Sequence, residues 1–250
     1  MSFDLLYALW RRDLVKWVRD RQSLVSSLSR PLLWLLALGF GLRGSFRAST
    51  SGVDYVTFLV PGIAAMSVLF SSMFAAISIV WDREFGFLKE LLVAPVPRTA
   101  VVIAKMAAAA TMSVLEALVV LLIAPLFGAR FDPLGAVAAL GLLAVFGMAV
   151  NALGIGVAAG MKTFEGFGSI VNFVLQPIFF FSGAMYPLDA APPVLRTIVL
   201  ANPMSYAVDA ARGLMLGVHH NPLWLDAAVV LGATVALTAW ATHRFTRMQA

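Results

Sequence analysis

The chain has 250 residues, of which 61% are hydrophobic and only 12% are charged. Soluble domains carry about 25% charged residues, so this much apolar surface does not fit inside one soluble core, and an integral membrane protein is indicated. The net charge of +5 does not indicate a nucleic-acid partner, because the basic residues stand between the apolar runs rather than in one stripe.

The residue types in the chain argue against most kinds of catalytic or metal site. Cys is absent, which excludes disulfides, thiolate metal sites and cysteine nucleophiles. The three histidines have no acidic or histidine partner at ligand spacing, so no metal site is predicted. The first 30 residues hold six Lys/Arg and no continuous apolar segment of the signal-peptide kind, so we expect the first apolar run to stay in the mature protein.

The N-terminal segment, residues 1–22, is predicted to form an amphipathic helix over 3–20. One face carries Phe3, Leu6, Tyr7, Trp10, Leu14, Trp17 and Val18. The opposite face carries Arg12, Lys16 and Arg19. This pattern is typical of a helix that lies in a membrane interface. The alternative is an ordinary amphipathic helix packed on a soluble partner.

Six membrane spans are predicted, since a span needs about 20 mostly apolar residues. The first apolar run, 31–42, is too short alone, and it must extend back through 23–29 or forward through 43–48. Extension backwards puts Arg30 inside the membrane, where it either snorkels to the inner surface or faces a polar path. The other candidate spans are 55–80, 106–127, 134–160, 169–187 and 222–242.

The distribution of Lys and Arg predicts the orientation. With both termini in the cytoplasm, the inner side holds 13 of the 18 Lys/Arg and the outer side holds 5. This orientation places the charged segment 81–98 inside and the proline-containing segment 188–221 outside. The outer segment contains two short apolar stretches that cannot span, so 188–218 is predicted to form short re-entrant or surface helices.

The inner segment reads WDREFGFLKELLVAPVPR. Asp82 is expected to cap a short helix that Pro95 and Pro97 end. On that helix Phe85, Leu88 and Leu92 share one face, and Phe87 with Leu91 lies nearly opposite. Two apolar sides fit a helix that rests on its own bundle and offers the other side to a partner. An amphipathic connector on the inner membrane surface fits as well, and the residues alone leave both open.

DREFGFLKELLVAPVPR resembles the first cytoplasmic loop of the permeases of type 2 ATP-binding cassette exporters, the class of drug and polysaccharide exporters. SGAMYPLDAAPP at 182–193 and NPMSYAVDAARGLMLG at 202–217 are similar to its second hallmark. The resemblance covers essentially the whole chain. It implies a coupling helix at 82–92 that docks on a separate ATPase subunit. It also implies a dimer of six-span chains with two ATPase copies.

Several functional assignments follow from this resemblance. The implied ATPase interface consists of Asp82, Arg83, Glu84, Phe85, Gly86, Phe87, Leu88, Lys89, Glu90 and Leu91. ATP and Mg would bind to the partner, because the chain has no phosphate-binding loop. The second and fifth spans are implied to meet across the dimer and line the route of a drug, lipid or glycan-type substrate. The candidate pathway residues on these two spans are Phe70, Phe74, Asn172, Gln176 and Phe179. Glu116 is a further candidate because of its charge within the third span, where the family would have a neutral residue.

The polar residues within the spans also have purely structural interpretations. A carboxylate in hydrocarbon is costly, so Glu116 is either a substrate or proton site or a residue bonded in a helix seam. Asn151, Asn172 and Gln176 are candidates for bonds between helices. Asn172, Gln176 and Phe179 are spaced to share one face. The glycines at 154, 156 and 160 are interpreted as close-packing positions.

Two other protein classes fit the sequence less well. An ion-driven secondary transporter would use Glu116 and Arg30, but such folds have two related halves and none is visible here. An intramembrane enzyme would need a catalytic partner for Glu116, and the sequence offers none. The sequence therefore predicts a non-enzymatic permease subunit in the plasma membrane of a prokaryote, in contact with lipid.

Overall fold

The structure, a computed structural model, describes residues 3–41, 53–86, 97–161, 163–186 and 192–248. Within those ranges all regular structure is helical, which confirms the predicted all-α class. The α-helices are α1 (Phe3–Arg19), α2 (Arg21–Gly41), α3 (Tyr55–Ala75), α4 (Ile77–Glu84), α5 (Arg98–Ile123), α6 (Pro133–Ala158), α7 (Phe164–Phe180), α8 (Pro193–Leu200), α9 (Pro203–Leu216) and α10 (Leu223–Thr246).

Four helical segments are long and apolar enough to cross a membrane. They are Tyr55–Glu84, Arg98–Phe127, Pro133–Ala158 and Leu223–Thr246, and they coincide with four of the predicted spans. The predicted span 169–187 corresponds to α7, which has only 17 residues. Helix α2 begins at Arg21, so the first apolar run extends backwards; the forward extension lies outside the described residues. The total of six spans therefore stays a prediction.

The centre of the bundle is formed by α3, α5 and α6, which pack against one another. Helix α6 also packs against α9 and α10, and α1 and α2 cover α5 and α3. The close approach depends on glycine. A Cβ on Gly154 would lie 2.6 Å from the Ala76 side chain, and one on Gly156 would overlap the Trp240 ring. These contacts confirm the interpretation of both glycines as close-packing positions.

The segment that was predicted to lie outside forms two short helices, α8 with 8 residues and α9 with 14, as its two apolar stretches indicated. The predicted cap at Asp82 is wrong, because the helix of the second span continues through α4 and Asp82 lies in its last turns. Residues 87–92 of the predicted coupling helix lie outside the described part of the chain.

Candidate functional site

A cavity of about 430 Å³ lies at the end of the bundle that carries α1. Its walls come from α1, α2, α3, α4 and α5. The lining contains both charged and apolar side chains, a combination that suits an amphiphilic ligand. The charged lining residues are Asp13, Lys16, Asp20, Arg30, Lys105 and Glu116. The larger apolar lining residues are Trp17, Met66, Phe70, Phe74, Ile77, Trp81 and Met112.

Helical spacing explains how these side chains meet. On α5, Lys105, Met112 and Glu116 follow one another at intervals of seven and four residues, so they share one face. On α3, Phe70 and Phe74 are one turn apart. Each helix therefore presents a mixed stripe of polar and apolar side chains to the cavity.

Glu116 is 2% exposed and is held by its neighbours. The Ser27 hydroxyl of α2 donates to its carboxylate at 3.0 Å. Trp17 of α1 and Ser71 of α3 line the same cavity. Glu116 thus joins α2 to α5 while it faces the cavity. This position is consistent with both roles that the sequence left open for Glu116, a hydrogen-bonding contact between helices and a substrate or proton site.

Arg30 faces the cavity, and its guanidinium carbon lies 4.6 Å from the Phe70 ring centre and 5.8 Å from that of Phe74. Such stacking stabilises a cation without neutralising it. Across the described ranges, no carboxylate lies within 4 Å of this guanidinium. Within the described ranges, the stacking contacts with Phe70 and Phe74 are therefore the interactions that hold the Arg30 guanidinium in the cavity.

Four charged residues form an ion network beside the cavity. Lys105 is 5% exposed, and its Nζ lies 2.8 Å from Asp82 and 3.5 Å from Asp13. Arg12 lies 2.8 Å from Asp13 and 3.3 Å from Asp82. Burial acts to lower the pKa of Arg12, but the two carboxylates outweigh it and raise that pKa. The network ties α1, α4 and α5 together.

Four of the five described residues of the predicted ATPase interface form two pairs, and the fifth, Gly86, follows them with a positive φ of 80°. Asp82 belongs to the ion network, and Arg83 donates to the Met161 carbonyl at 3.3 Å. Glu84 and Phe85 are exposed at the end of α4, and Phe85 is 76% exposed. The first pair holds the end of α4 in place, and the second pair points away from the bundle. Residues 87–91 of the interface lie outside the described ranges.

The structure separates the candidate pathway residues. Phe70, Phe74 and Glu116 line the cavity. Phe179 is buried beside Phe70, with their ring centres 6.4 Å apart. Asn172 and Gln176 are exposed on α7, whereas Phe179 is buried, so the three residues differ in burial although their spacing puts them on one helix face.

The amides differ in what they bond. The Asn172 amide donates to Gly168 of its own helix, so it does not bridge helices. Asn151 of α6 does, because its amide donates to the Ser72 carbonyl of α3 at 2.8 Å. The interhelical interpretation is confirmed for Asn151 alone among these residues.

The opposite end of the bundle is held by α9. Asp209 accepts hydrogen bonds from the backbone N–H groups of His220 and Asn221, which follow the helix. Arg212 donates to the Gly183 carbonyl at 3.2 Å, and its guanidinium stacks on Phe58 at 3.9 Å. Burial lowers the pKa of Arg212 to about 10, against the opposing effect of Asp209. These contacts fasten α9 to α3 and to the residues that precede α10.

The sequence interpretation missed the roles of Lys105, Ser27 and Trp17. Lys105 entered it only as a positive charge beside a span. The signal that identifies it is the spacing of 11 residues from Lys105 to Glu116, which is three turns of helix and puts both on one face. The pairing of Lys105 with Asp82 is not visible in the sequence, because it depends on how α4 leans on α5.

Known proteins resemble this chain over most of its length. A family model described as "ABC-2 type transporter" matches residues 4–216. The "Nodulation protein J" of Rhizobium leguminosarum bv. trifolii is 32% identical over 84% of this chain and 80% of its own. The "Probable doxorubicin resistance ABC transporter permease protein DrrC" of Mycobacterium tuberculosis is 30% identical over 82% and 75%. The ycf38 protein of Cyanophora paradoxa is 27% identical over 84% and 73%.

Proposed function

The chain belongs to the family of ABC-2 type transporters, and from this premise we propose that it is the permease subunit of an exporter whose ATP is hydrolysed by a separate subunit. The match over residues 4–216 and the four apolar spans support a multi-pass membrane subunit. Six spans, cytoplasmic termini and a prokaryotic plasma membrane complete the proposal. A second copy of the chain and two ATPase subunits, which bind ATP and Mg, complete the complex.

The proposed contact with the ATPase is the segment 82–92. The observation that carries it is the exposure of Glu84 and Phe85 at the end of a helix whose last turns are held by ion pairs. Phe85 is 76% exposed there, and an aromatic side chain of this size can act as an anchor when a partner buries it. The proposed interface also includes residues 87–91, which lie outside the described ranges.

The proposed mechanism is mechanical. Closure of the two ATPase subunits moves segment 82–92, and the motion passes into α4, which continues the second span. The ion network then carries it to α1 and α5 through Asp82. The spans shift between inward-closed and outward-open arrangements, and no bond chemistry takes place in this chain.

The experiment co-expresses the full chain with its ATPase subunit and measures copurification and ATP hydrolysis. Phe85→Ala and Glu84→Arg should each weaken assembly or uncouple hydrolysis from transport, while membrane insertion stays normal. The matched control is Leu134→Ala, which truncates an apolar side chain that is 78% exposed at the other end of the bundle. Normal binding and transport in both variants would refute the docking assignment. Transport by the purified chain alone, driven by an ion gradient, would refute the proposed function.

The proposed substrate is a drug, lipid or glycan-type molecule. The name of the mycobacterial relative refers to doxorubicin resistance, which supports a drug as one substrate class. Phe70, Phe74 and Glu116 are proposed to contact the substrate because they line the cavity. Asn172, Gln176 and Phe179 stay proposed pathway residues on α7. Stimulation of ATP hydrolysis by each substrate class, measured on the reconstituted complex, tests the assignment.

A further inference from the structure

We propose that the cavity is a binding site for an amphiphile with a phosphate headgroup. Arg30 is the principal ligand of the phosphate, and the apolar wall contacts the hydrocarbon tail. The proposal does not rest on the proposed function, because such binding needs neither ATP nor a partner subunit.

The charges around the cavity are not equally available to a ligand. Asp13 is paired with Arg12 and Lys105, and Asp20 accepts the Ser23 backbone N–H at 3.0 Å. Glu116 accepts from Ser27. Each acidic group that lines the cavity is therefore already bonded within the protein.

Two cations remain whose partners are aromatic rings. Arg30 stacks on Phe70 at 4.6 Å, and Lys16 lies 4.2 Å from the Trp81 ring centre. Over the described ranges neither has a carboxylate within 4 Å. A guanidinium has five N–H donors, and stacking on a ring face uses none of them in hydrogen bonds. These donors can form the paired hydrogen bonds that a phosphate accepts.

The rest of the cavity suits an apolar chain. From Arg30 the wall continues along Phe70, Met66 and Met112 and across the small side chains of Ala108 and Ala109. The volume of about 430 Å³ is too large for a phosphate ion alone. A single molecule with a phosphate head and a hydrocarbon chain matches both parts of this lining.

The position of the cavity favours entry from the membrane. It lies against α1, whose basic face carries Arg12, Lys16 and Arg19. Basic segments beside a membrane attract anionic lipids, with about 1 kcal/mol for each Lys or Arg near the surface. An amphiphile that bears a phosphate is thus concentrated next to the cavity that would hold it.

The test measures binding to the full-length chain in dodecyl maltoside by native mass spectrometry. The probes are dodecyl phosphate, dodecyl trimethylammonium and inorganic phosphate. We expect one dodecyl phosphate per chain, and Arg30→Gln should weaken its binding by about tenfold or more. The matched control is Arg244→Gln, which removes another arginine stacked on a ring, Trp240, at 6.0 Å and outside the cavity. Arg244→Gln should leave the binding unchanged.

Several outcomes would overturn the inference: unchanged binding in Arg30→Gln, equal binding of the cationic probe, or competition by inorganic phosphate at the concentration at which dodecyl phosphate binds. Because Arg30 is exposed, its replacement leaves no buried charge, and an unchanged gel-filtration profile verifies folding. A second arm identifies the source of the amphiphile. Phosphatidylglycerol retained by the wild type but not by Arg30→Gln indicates a bilayer lipid, and dodecyl phosphate binding without such retention indicates a different phosphate amphiphile.

Discussion

Replacement of Lys105 by methionine tests the ion network directly. The ammonium group is 5% exposed and lies 2.8 Å from Asp82, 3.0 Å from the Ser78 hydroxyl and 3.5 Å from Asp13. Methionine fills a similar volume but leaves two nearly buried carboxylates with Arg12 as their remaining cation in this network. Removal of one partner of a buried ion pair costs about 3–5 kcal/mol. Because Arg12 still neutralises part of the charge, we expect the lower end of this range, about 3 kcal/mol.

The assay is thermal unfolding of the purified chain in detergent. For a chain of this length each kcal/mol shifts the midpoint by about 2–4 °C, so Lys105→Met should lower it by about 6–12 °C. The matched control is Lys16→Met, since Lys16 is exposed over Trp81, and its loss should cost about 1 kcal/mol or less.

A double-mutant cycle shows whether the effect comes from the pair. With Asp82→Asn the uncompensated charge is gone, so Lys105→Met should cost at least about 1 kcal/mol less than in the wild type. Equal costs in the two backgrounds would show that Lys105 and Asp82 do not interact. A midpoint for Lys105→Met within the error of the wild type would refute the network as a stabilising element.

Three further changes test the packing. Gly156→Val should destabilise the chain by about 1–3 kcal/mol, because its side chain would overlap Trp240, whereas Gly141→Val on the same helix has free space and should be tolerated. Asn151→Leu should cost about 1 kcal/mol in thermal unfolding, since the bond to Ser72 is lost. Asp209→Ala should speed amide hydrogen exchange in the segment after α9, and unchanged exchange there would contradict the assigned bonds.

The helical class and four spans could be predicted from the sequence because a membrane requires long apolar helices. The backward extension of the first span was left open, since Arg30 argues against it on hydropathy alone. The structure shows how the cost is met: the charge faces a cavity and stacks on Phe70. A hydropathy scale records the residue type but not which face of the helix is lined by other helices.

The site was only partly predictable. Phe70, Phe74 and Glu116 were identified as candidates, and they do line one cavity. Asn172 and Gln176 share a helix face with Phe179 by spacing, but only Phe179, nearer the end of α7, is covered by rings of other helices, those of Trp34 and Phe70. Asp82 was interpreted as a cap because Asp is one of the residue types preferred at the start of a helix. Its actual contacts come from α1 and α5, which are distant in the sequence.

The ion network and the cavity share residues, and this links the end of α4 to the proposed ligand site. Asp13 and Lys105 belong to both, and Ser78 and Trp81 of α4 line the cavity themselves. A displacement of α4 therefore changes the cavity wall directly through Trp81. It also acts through the ion pair of Lys105 and Asp82, because Lys105 lies on the same face of α5 as Glu116. If a partner subunit moves segment 82–92, we expect the affinity for a phosphate amphiphile to differ between the two positions of α4, and Lys105→Met should reduce that difference.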